Sequence, residues 1–345
     1  MKVSYFINRR KLDHFTLCCY ASLALPNVDC QAPANEFSSC DDLMKDKTLQ
    51  VCIWVLGIFA FFGNIFVVAY RLVVREDNRV HSLLLTNLAI SDFMMGLYLL
   101  IIAFKDVQWQ GEYFKHDLSW RVSGLCQFAG ALSMISSEVS VLMLTIITLD
   151  RFICIVFPMR FGRLGLKKAI AICILLWTFG TLISVVPILG IEYFHDKQLD
   201  IGFYGRSSVC LPLQLSSDRP AGWEYSVSFF IGLNFIAFMF ILLAYIAMFW
   251  TVRKSSAAVG SRNAKKESAL ARKLMVIILT DFCCWMPVIL IGILSLTGNF
   301  HDPQKLAYVW IAVFVLPVNS SINPILYTFS TAHVKKRVTQ YSRSM

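Results

Sequence analysis

The sequence predicts an all-α membrane protein, a bundle of seven transmembrane helices with a short amphipathic eighth helix. Three observations predict it. Hydrophobic residues make up 57% of the 345 positions and charged residues only 16%, a balance unlike that of a soluble domain of this length. The apolar residues gather into seven runs, each near or above the roughly 20 residues that span a bilayer. The cations between the runs crowd onto alternate loops, which is the bias that orients membrane helices.

The runs cover approximately residues 49–74, 82–104, 124–157, 168–189, 221–252, 270–297 and 306–329. Strand-like alternation is absent from them, which argues against a membrane barrel. The third and fifth are long enough to tilt or to project beyond the lipid. Residues 1–48 form a polar, cysteine-bearing segment before the first run, with an apolar patch at 15–25 that resembles a weak signal peptide. Residues 49–330 make up the helix bundle. In the final segment, 331–345, Val334 and Val338 stand four apart among Lys335, Lys336 and Arg337, the pattern of a short helix lying on the membrane surface. No internal repeat is visible.

A net charge of +10 raises nucleic-acid binding as a class, and the distribution of that charge excludes it. Arg71, Arg75 and Arg79, then Arg160, Arg163, Lys167 and Lys168, then a basic stretch from Arg253 to Lys273, then Lys335 to Arg343 all belong to one side. The opposite loops hold few cations. The positive-inside rule therefore predicts a cytoplasmic C-terminus and, with seven crossings, an extracellular N-terminus. Six of the eleven cysteines (Cys18, Cys19, Cys30, Cys40, Cys126 and Cys210) fall on the outer side, where an even number suggests disulfides. The pattern Asn319-Ser320-Ser321 matches a glycosylation acceptor but lies inside the seventh run, out of reach of the modifying enzyme.

Asp92 sits near the middle of the second run. A carboxylate there costs roughly 2.5–3.5 kcal/mol or more, so partners are expected. Asn64 in run one, Ser140 in run three and Asn319, Ser320 and Asn323 in run seven lie at compatible depths. Carboxylate, amide and hydroxyl oxygens together suit a small hard cation, and the bland alternative is a set of unrelated helix–helix hydrogen bonds. Glu138 is another intramembrane carboxylate, and the sequence names no partner for it.

"GNIFV" at 63–67, "NLAISD" at 87–92, "DRF" at 150–152, Trp177, "CWMP" at 284–287 and "NPILY" at 323–327 stand in the order found in rhodopsin-like G-protein-coupled receptors. The resemblance covers essentially residues 50–340. "SEVSVLMLTIITLDRF" at 137–152, "TDFCCWMP" at 280–287 and "GEYFKHDLSW" at 111–120 resemble the leucine-rich-repeat-containing subgroup, and within it relaxin-type receptors, with glycoprotein-hormone receptors as cousins. "HFTLCCYA" at 14–21 and "FSSCDDLM" at 37–44 resemble the cysteine-rich hinge of that subgroup, and on this ground the hinge reading displaces the signal peptide. The chain thus looks like the membrane half and hinge of a larger receptor.

The resemblance implies roles residue by residue. Asp92, with Asn64, Ser140, Asn319, Ser320 and Asn323, matches a sodium site of the resting state. The conserved arginine of the family falls on Arg151 beside Asp150, and Glu267 falls where an ionic lock with it would close. Pro158 and Met159 match positions that engage a G protein. Trp285 and Pro287 match the toggle and kink of helix six, and Asn323, Pro324 and Tyr327 the switch of helix seven. Asp281 replaces a phenylalanine and Ala237 a helix-five proline. Asp281 is expected to bond to Asn319 or Asn323 as a polar latch. Cys126 and Cys210 match a disulfide between helix three and the second outer loop. Cys18, Cys19, Cys30 and Cys40 match hinge bridges of open connectivity, and the stretch holding Phe37, Cys40, Asp41, Asp42, Leu43 and Met44 resembles a tethered activator.

The expected function is transduction of a peptide or glycoprotein hormone signal, relaxin-like first, to heterotrimeric G proteins. No catalysis of its own is expected and no cofactor beyond a sodium ion; the expected partners are hormone, G protein, membrane lipid and a second receptor in a dimer, with no nucleic acid. A retinal protein would need a lysine in run seven, which has none, and a transporter would show inverted repeats. The alternative kept open is a receptor chain lacking its hormone-binding repeats that acts constitutively or as a dimerising modulator.

Overall fold

The computed structural model describes residues 15–24, 40–74, 78–158, 160, 162–195, 200–212, 221–255, 262–297 and 310–330. The described chain is dominated by helices. In order they are α1 (Phe15–Ala24), α2 (Lys47–Val73), α3 (Arg79–Gln108), α4 (Tyr113–Arg121), α5 (Gly124–Val156), α6 (Leu166–Val185), α7 (Trp223–Ser226), α8 (Asn234–Ser255), α9 (Arg262–Leu296) and α10 (Leu316–Ser330). A π-helical segment, Val227–Leu233, joins α7 to α8, and a second, Ile311–Val315, leads into α10.

Local chemistry sets where the long helices begin. The Asp46 carboxylate accepts the Thr48 amide at 2.8 Å ahead of α2, Asn78 accepts the His81 amide at 3.1 Å ahead of α3, and Ser123 accepts the Cys126 amide at 3.1 Å ahead of α5. Each cap satisfies an N–H that the helix cannot pair internally.

Six described helical stretches are long and apolar enough to cross a membrane: Lys47–Val73, Arg79–Gln108, Gly124–Val156, Leu166–Ile188, Trp223–Lys254 and Ile278–Leu296. They correspond to the first six apolar runs. The seventh run is helical from Trp310, with its apolar part at Val313–Leu326; its first residues lie outside the described ones, as does the amphipathic segment at 331–345. The outward faces carry Phe62, Phe66, Leu175, Ile236, Leu243 and Trp250, all well over half or nearly half exposed. An all-round display of this kind suits lipid rather than water. The chain is a multi-pass membrane protein.

In the bundle α2 packs on α3, α3 on α5, and α5 on α6 and α8, while α10 closes the ring against α2, α3 and α9. Association inside lipid depends on close packing rather than on exclusion of water. One close approach is at Gly96, where an added Cβ would lie 2.4 Å from the Phe61 backbone nitrogen. α2 and α3 meet backbone to backbone there.

Two short helices lie outside the seven apolar runs. The stretch 113–121, between the second and third runs, forms α4, whose inward face buries Tyr113, Phe114 and Trp120. α1 arises within the hinge and is tied to the rest by a Cys19–Cys40 disulfide and by Tyr20 packing edge-on against Phe114 at 4.8 Å. Tertiary contact, not apolar periodicity, organises both.

Candidate functional site

Asp92 is fully buried on α3 and draws three helices together. Its Oδ1 accepts Ser320 Oγ at 2.9 Å and Ser140 Oγ at 3.5 Å, and its Oδ2 accepts Asn323 Nδ2 at 2.8 Å. Asn64 on α2 joins this cluster through the backbone, donating to Ser320 O at 2.9 Å and to Ala60 O at 2.8 Å. The hydrogen bonds offset the desolvation of the carboxyl. Asn319 is buried beside Ser320 in sequence, but neither end of its amide makes a hydrogen bond.

The donor set can be tested against a sodium ion. The amide oxygens of Asn64, Asn319 and Asn323 are buried and have no hydrogen-bond partner. The Asp92 carboxyl and the hydroxyls of Ser140 and Ser320 add further oxygen donors. That chemistry fits a monovalent hard cation.

At the far end of α5, Arg151 is buried and held by Asp150, with Nε at 3.1 Å from Oδ2. Pro158 follows the helix and is exposed. Glu267 lies within α9, but its side chain is outside the described residues, as are Met159 and the side chain of Tyr327. The proposed lock between Arg151 and Glu267 therefore falls outside what is described.

Trp285 on α9 is buried against two aromatic rings of the fifth span, Phe230 at 6.2 Å and Phe238 at 6.0 Å. Pro287 lies inside α9 and Pro324 inside α10. Asp281 is buried with its Oδ2 unpaired. The latch expected from the sequence is not formed: Asn323 Nδ2 donates to Asp92 and the Asn319 amide donates to nothing. The Asn323 amide is held by Asp92 instead.

Glu138 acquires the partner that the sequence could not name. Asn234, the first residue of α8, donates to Glu138 Oε1 at 3.3 Å, and both side chains are fully buried. Asn234 was legible as a polar residue inside an apolar run, the same signal that singled out Asp92, but no motif drew attention to it. Ser321 was also missed; it donates to Leu56 O at 2.9 Å and Pro317 O at 3.0 Å, binding α10 to α2.

The opposite end of the bundle is closed by a loop and the hinge. Cys126 on α5 pairs with Cys210. Around Cys210, Trp120 Nε1 donates to Ser208 O at 2.6 Å and Tyr98 OH to Val209 O at 2.8 Å. Tyr204 donates to Ser184 O at 2.7 Å, and its burial pushes the phenol well above its usual range, so it remains a donor. The segment 40–44 runs over α4: Tyr113 and Phe114 amides donate to Asp41 O at 3.2 Å and Cys40 O at 3.3 Å. Leu43 and Met44 are fully buried at its end. The Met44 amide donates to Asp106 Oδ1 at 3.0 Å, and Asp42 accepts the Gly111 amide at 3.1 Å. Cys18 is disulfide-bonded as well; Cys30 and Phe37 lie outside the described residues.

Comparison with known proteins adds the following. The family described as the 7 transmembrane receptor (rhodopsin family) matches residues 63–327. The chain is 48% identical over 338 residues to the G-protein coupled receptor GRL101 of Lymnaea stagnalis, covering 97% of this chain and 29% of that protein. It is 36% identical over 331 residues to relaxin receptor 1 of Homo sapiens, covering 95% of this chain and 42% of that receptor. To the thyrotropin receptor of Felis catus it is 31% identical over 310 residues, covering 90% and 38%. The chain thus spans from 29% to 42% of the length of these three relatives.

Proposed function

The chain belongs to the rhodopsin family of seven-transmembrane receptors, and from that premise we propose that it passes an extracellular hormone signal, peptide or glycoprotein and relaxin-like first, to heterotrimeric G proteins at the plasma membrane. The similarity to relaxin and thyrotropin receptors supports the hormone class. The family is one of receptors rather than enzymes, and the chain's part is conformational. The positive-inside bias supports an outer end at the Cys126–Cys210 disulfide and an inner end at Arg151.

The observation that carries this reading is the buried polar line inside the bundle. Asp92 ties α3 to α5 and α10, and Arg151 with Asp150 lies near the end of α5. A cluster that joins three helices through few bonds can be remade by a modest shift of one of them, which is what a switch requires. In the first packing the helices are drawn together around Asp92. In the second packing that this proposal requires, α9 would move on its Pro287 hinge and open the inner face beside Arg151. Sodium, where bound, supplies the charge that offsets Asp92 and favours the first packing; Asp92, Ser140, Asn319, Ser320 and Asn323 would hold it. The hinge, with Leu43 and Met44 seated at the outer end, is placed to convey a hormone's presence to α3.

Guanine-nucleotide exchange tests the reading. Purified receptor in nanodiscs is mixed with representative G proteins of each class, with and without relaxin. Acceleration of at least one G protein over empty nanodiscs is expected, with loss of that acceleration in Arg151→Ala. An Arg151→Ala receptor that works as well as wild type would remove the basis of the proposal. A separate expectation concerns the ion. Sodium chloride, compared with choline chloride, should stabilise the wild type against heat by about 1.4 kcal/mol at ten times the ion's Kd. Asp92→Asn should show no such difference, and a retained sodium effect would place the ion elsewhere.

A further inference from the structure

Away from the Asp92 network, the described residues hold a cleft with a buried carboxyl that the signalling reading leaves unused. It has a volume of about 330 Å³ and lies between the outer ends of α2 and α3. Gln50, Val51, Trp54 and Val55 line one wall, and Asp106, Val107 and Gln110 the other. Its floor and its mouth differ sharply. Asp106 is only 4% exposed, whereas Val51, Val107 and Val55 are 63%, 55% and 46% exposed, on helices that span the membrane.

The floor calls for a cation. Asp106 accepts backbone hydrogen bonds from the Met44 amide, at 3.0 Å, and from the Leu43 amide, and a carboxylate has about four acceptor positions, so part of its acceptor capacity remains. Lys105, next in sequence, turns away: its Nζ donates to Gln108 Oε1 at 2.8 Å and lies 4.7 Å over the Trp109 ring. A second acid stands close by, because Gln50 Nε2 donates both to Asp42 Oδ2 at 3.2 Å and to Met44 O at 2.8 Å. Trp54 is braced edge-on against Phe104 at 4.9 Å, so its indole forms a fixed aromatic wall. A cation over such a face gains quadrupole attraction on top of the carboxylate charge.

The mouth calls for a hydrocarbon chain. The exposed part of the lining is mostly the three valines, with Gln110 as its polar residue, so a small hydrated ammonium gains little from it. A zwitterionic phospholipid would bring its phosphate against Asp42 and Asp106 along with its ammonium, and like charges at such range repel. An amine with a single long chain meets both demands and carries no anion.

We propose that this cleft binds a long-chain primary amine, with the ammonium on Asp106 and Trp54 and the chain lying over Val51, Val55 and Val107 in the outer leaflet. The same carboxyl seats Met44, so occupation of the cleft is coupled to the position of the hinge.

Radiolabelled dodecylamine and receptor in phosphatidylcholine nanodiscs provide the test, with empty nanodiscs as the baseline. Saturable binding above that baseline is expected. Asp106→Asn should weaken it at least tenfold. Val51→Trp, which fills the mouth while leaving the Asp106–Met44 bond in place, should do the same, and it decides the matter alone if Asp106→Asn does not fold. Dodecanol should not displace the amine, and tetramethylammonium should do so only at concentrations a hundredfold higher. Displacement by dodecanol as readily as by dodecylamine would mean simple partitioning. Tetramethylammonium competing on equal terms would mean that the chain adds nothing. Unchanged binding in the folded variants would overturn the site. The readout needs no G protein, so its failure leaves the receptor reading standing.

Discussion

Replacing Cys210 by serine is expected to remove most of the protein from the cell surface and to destabilise the outer half of the bundle by about 2–5 kcal/mol. The bond between Cys126 and Cys210 closes a separation of 84 residues, so its loss frees a long stretch of chain. More depends on it than chain entropy. Cys210 has φ 54°, a left-handed conformation that costs a side-chain-bearing residue roughly 1–2 kcal/mol. Without the sulfur bond this residue can relax to an ordinary conformation, and its neighbours move with it. Ser208 and Val209 would then withdraw their carbonyls from Trp120 and Tyr98, leaving two buried donors unsatisfied. Surface labelling of intact cells and a melting curve of solubilised protein measure the two effects. Cys126→Ser should match Cys210→Ser, and the double variant should be no worse than either. Normal surface levels with an unshifted melt would show that the loop is held by its hydrogen bonds alone.

Asp281→Asn is expected to stabilise the protein by about 1–3 kcal/mol, the penalty typical of a buried polar group left without a partner. Asp281 is 2% exposed and its Oδ2 has no hydrogen bond. Asparagine keeps the volume, removes the ionisable group and brings two N–H donors. α9 packs directly on α10, where the Asn319 and Asn323 amide oxygens are unpaired acceptors. An upward shift of the melting midpoint in detergent is the measurement. A downward shift would mean that the carboxyl already has a donor, and the latch expected from the sequence would regain its standing.

How far the sequence could be read depended on which force set each feature. The spans were legible because lipid imposes length and apolarity on a single segment without reference to its neighbours. The expected run 124–157 corresponds to Gly124–Val156, and 221–252 to Trp223–Lys254. The grouping of Asp92 with Ser140, Ser320 and Asn323 was also legible, since a carboxyl inside an apolar run must find partners at its own depth. Orientation within the group was not. Asn319 shares the helix and the residue type of Asn323, yet only Asn323 reaches Asp92, a difference that depends on how α10 is rotated. α4 was illegible for a related reason. Its nine residues are polar on average, and its seating against α1, α5 and the segment Phe203–Arg206 makes Tyr113 and Trp120 interior. The pairing of Glu138 with Asn234 joins two lone polar residues 96 positions apart, and no local pattern connects them.

The segment Val227–Leu233 has a further consequence. A π-helical turn holds one residue more than the α-helix expects, so it acts as an insertion hidden within a continuous helix. The fifth span has no proline between Trp223 and Lys254, and this surplus residue supplies the irregularity instead. Each residue advances an α-helix by about 100°. Deleting one residue from 227–233 would therefore turn everything from Asn234 onward by roughly that angle relative to the outer end. Asn234 would leave Glu138, and Phe238 would leave Trp285. Relatives whose fifth helix lacks the surplus residue would align with this chain without a gap at either end and still be one position out of phase across half of it, so that residues sharing a column would face different neighbours.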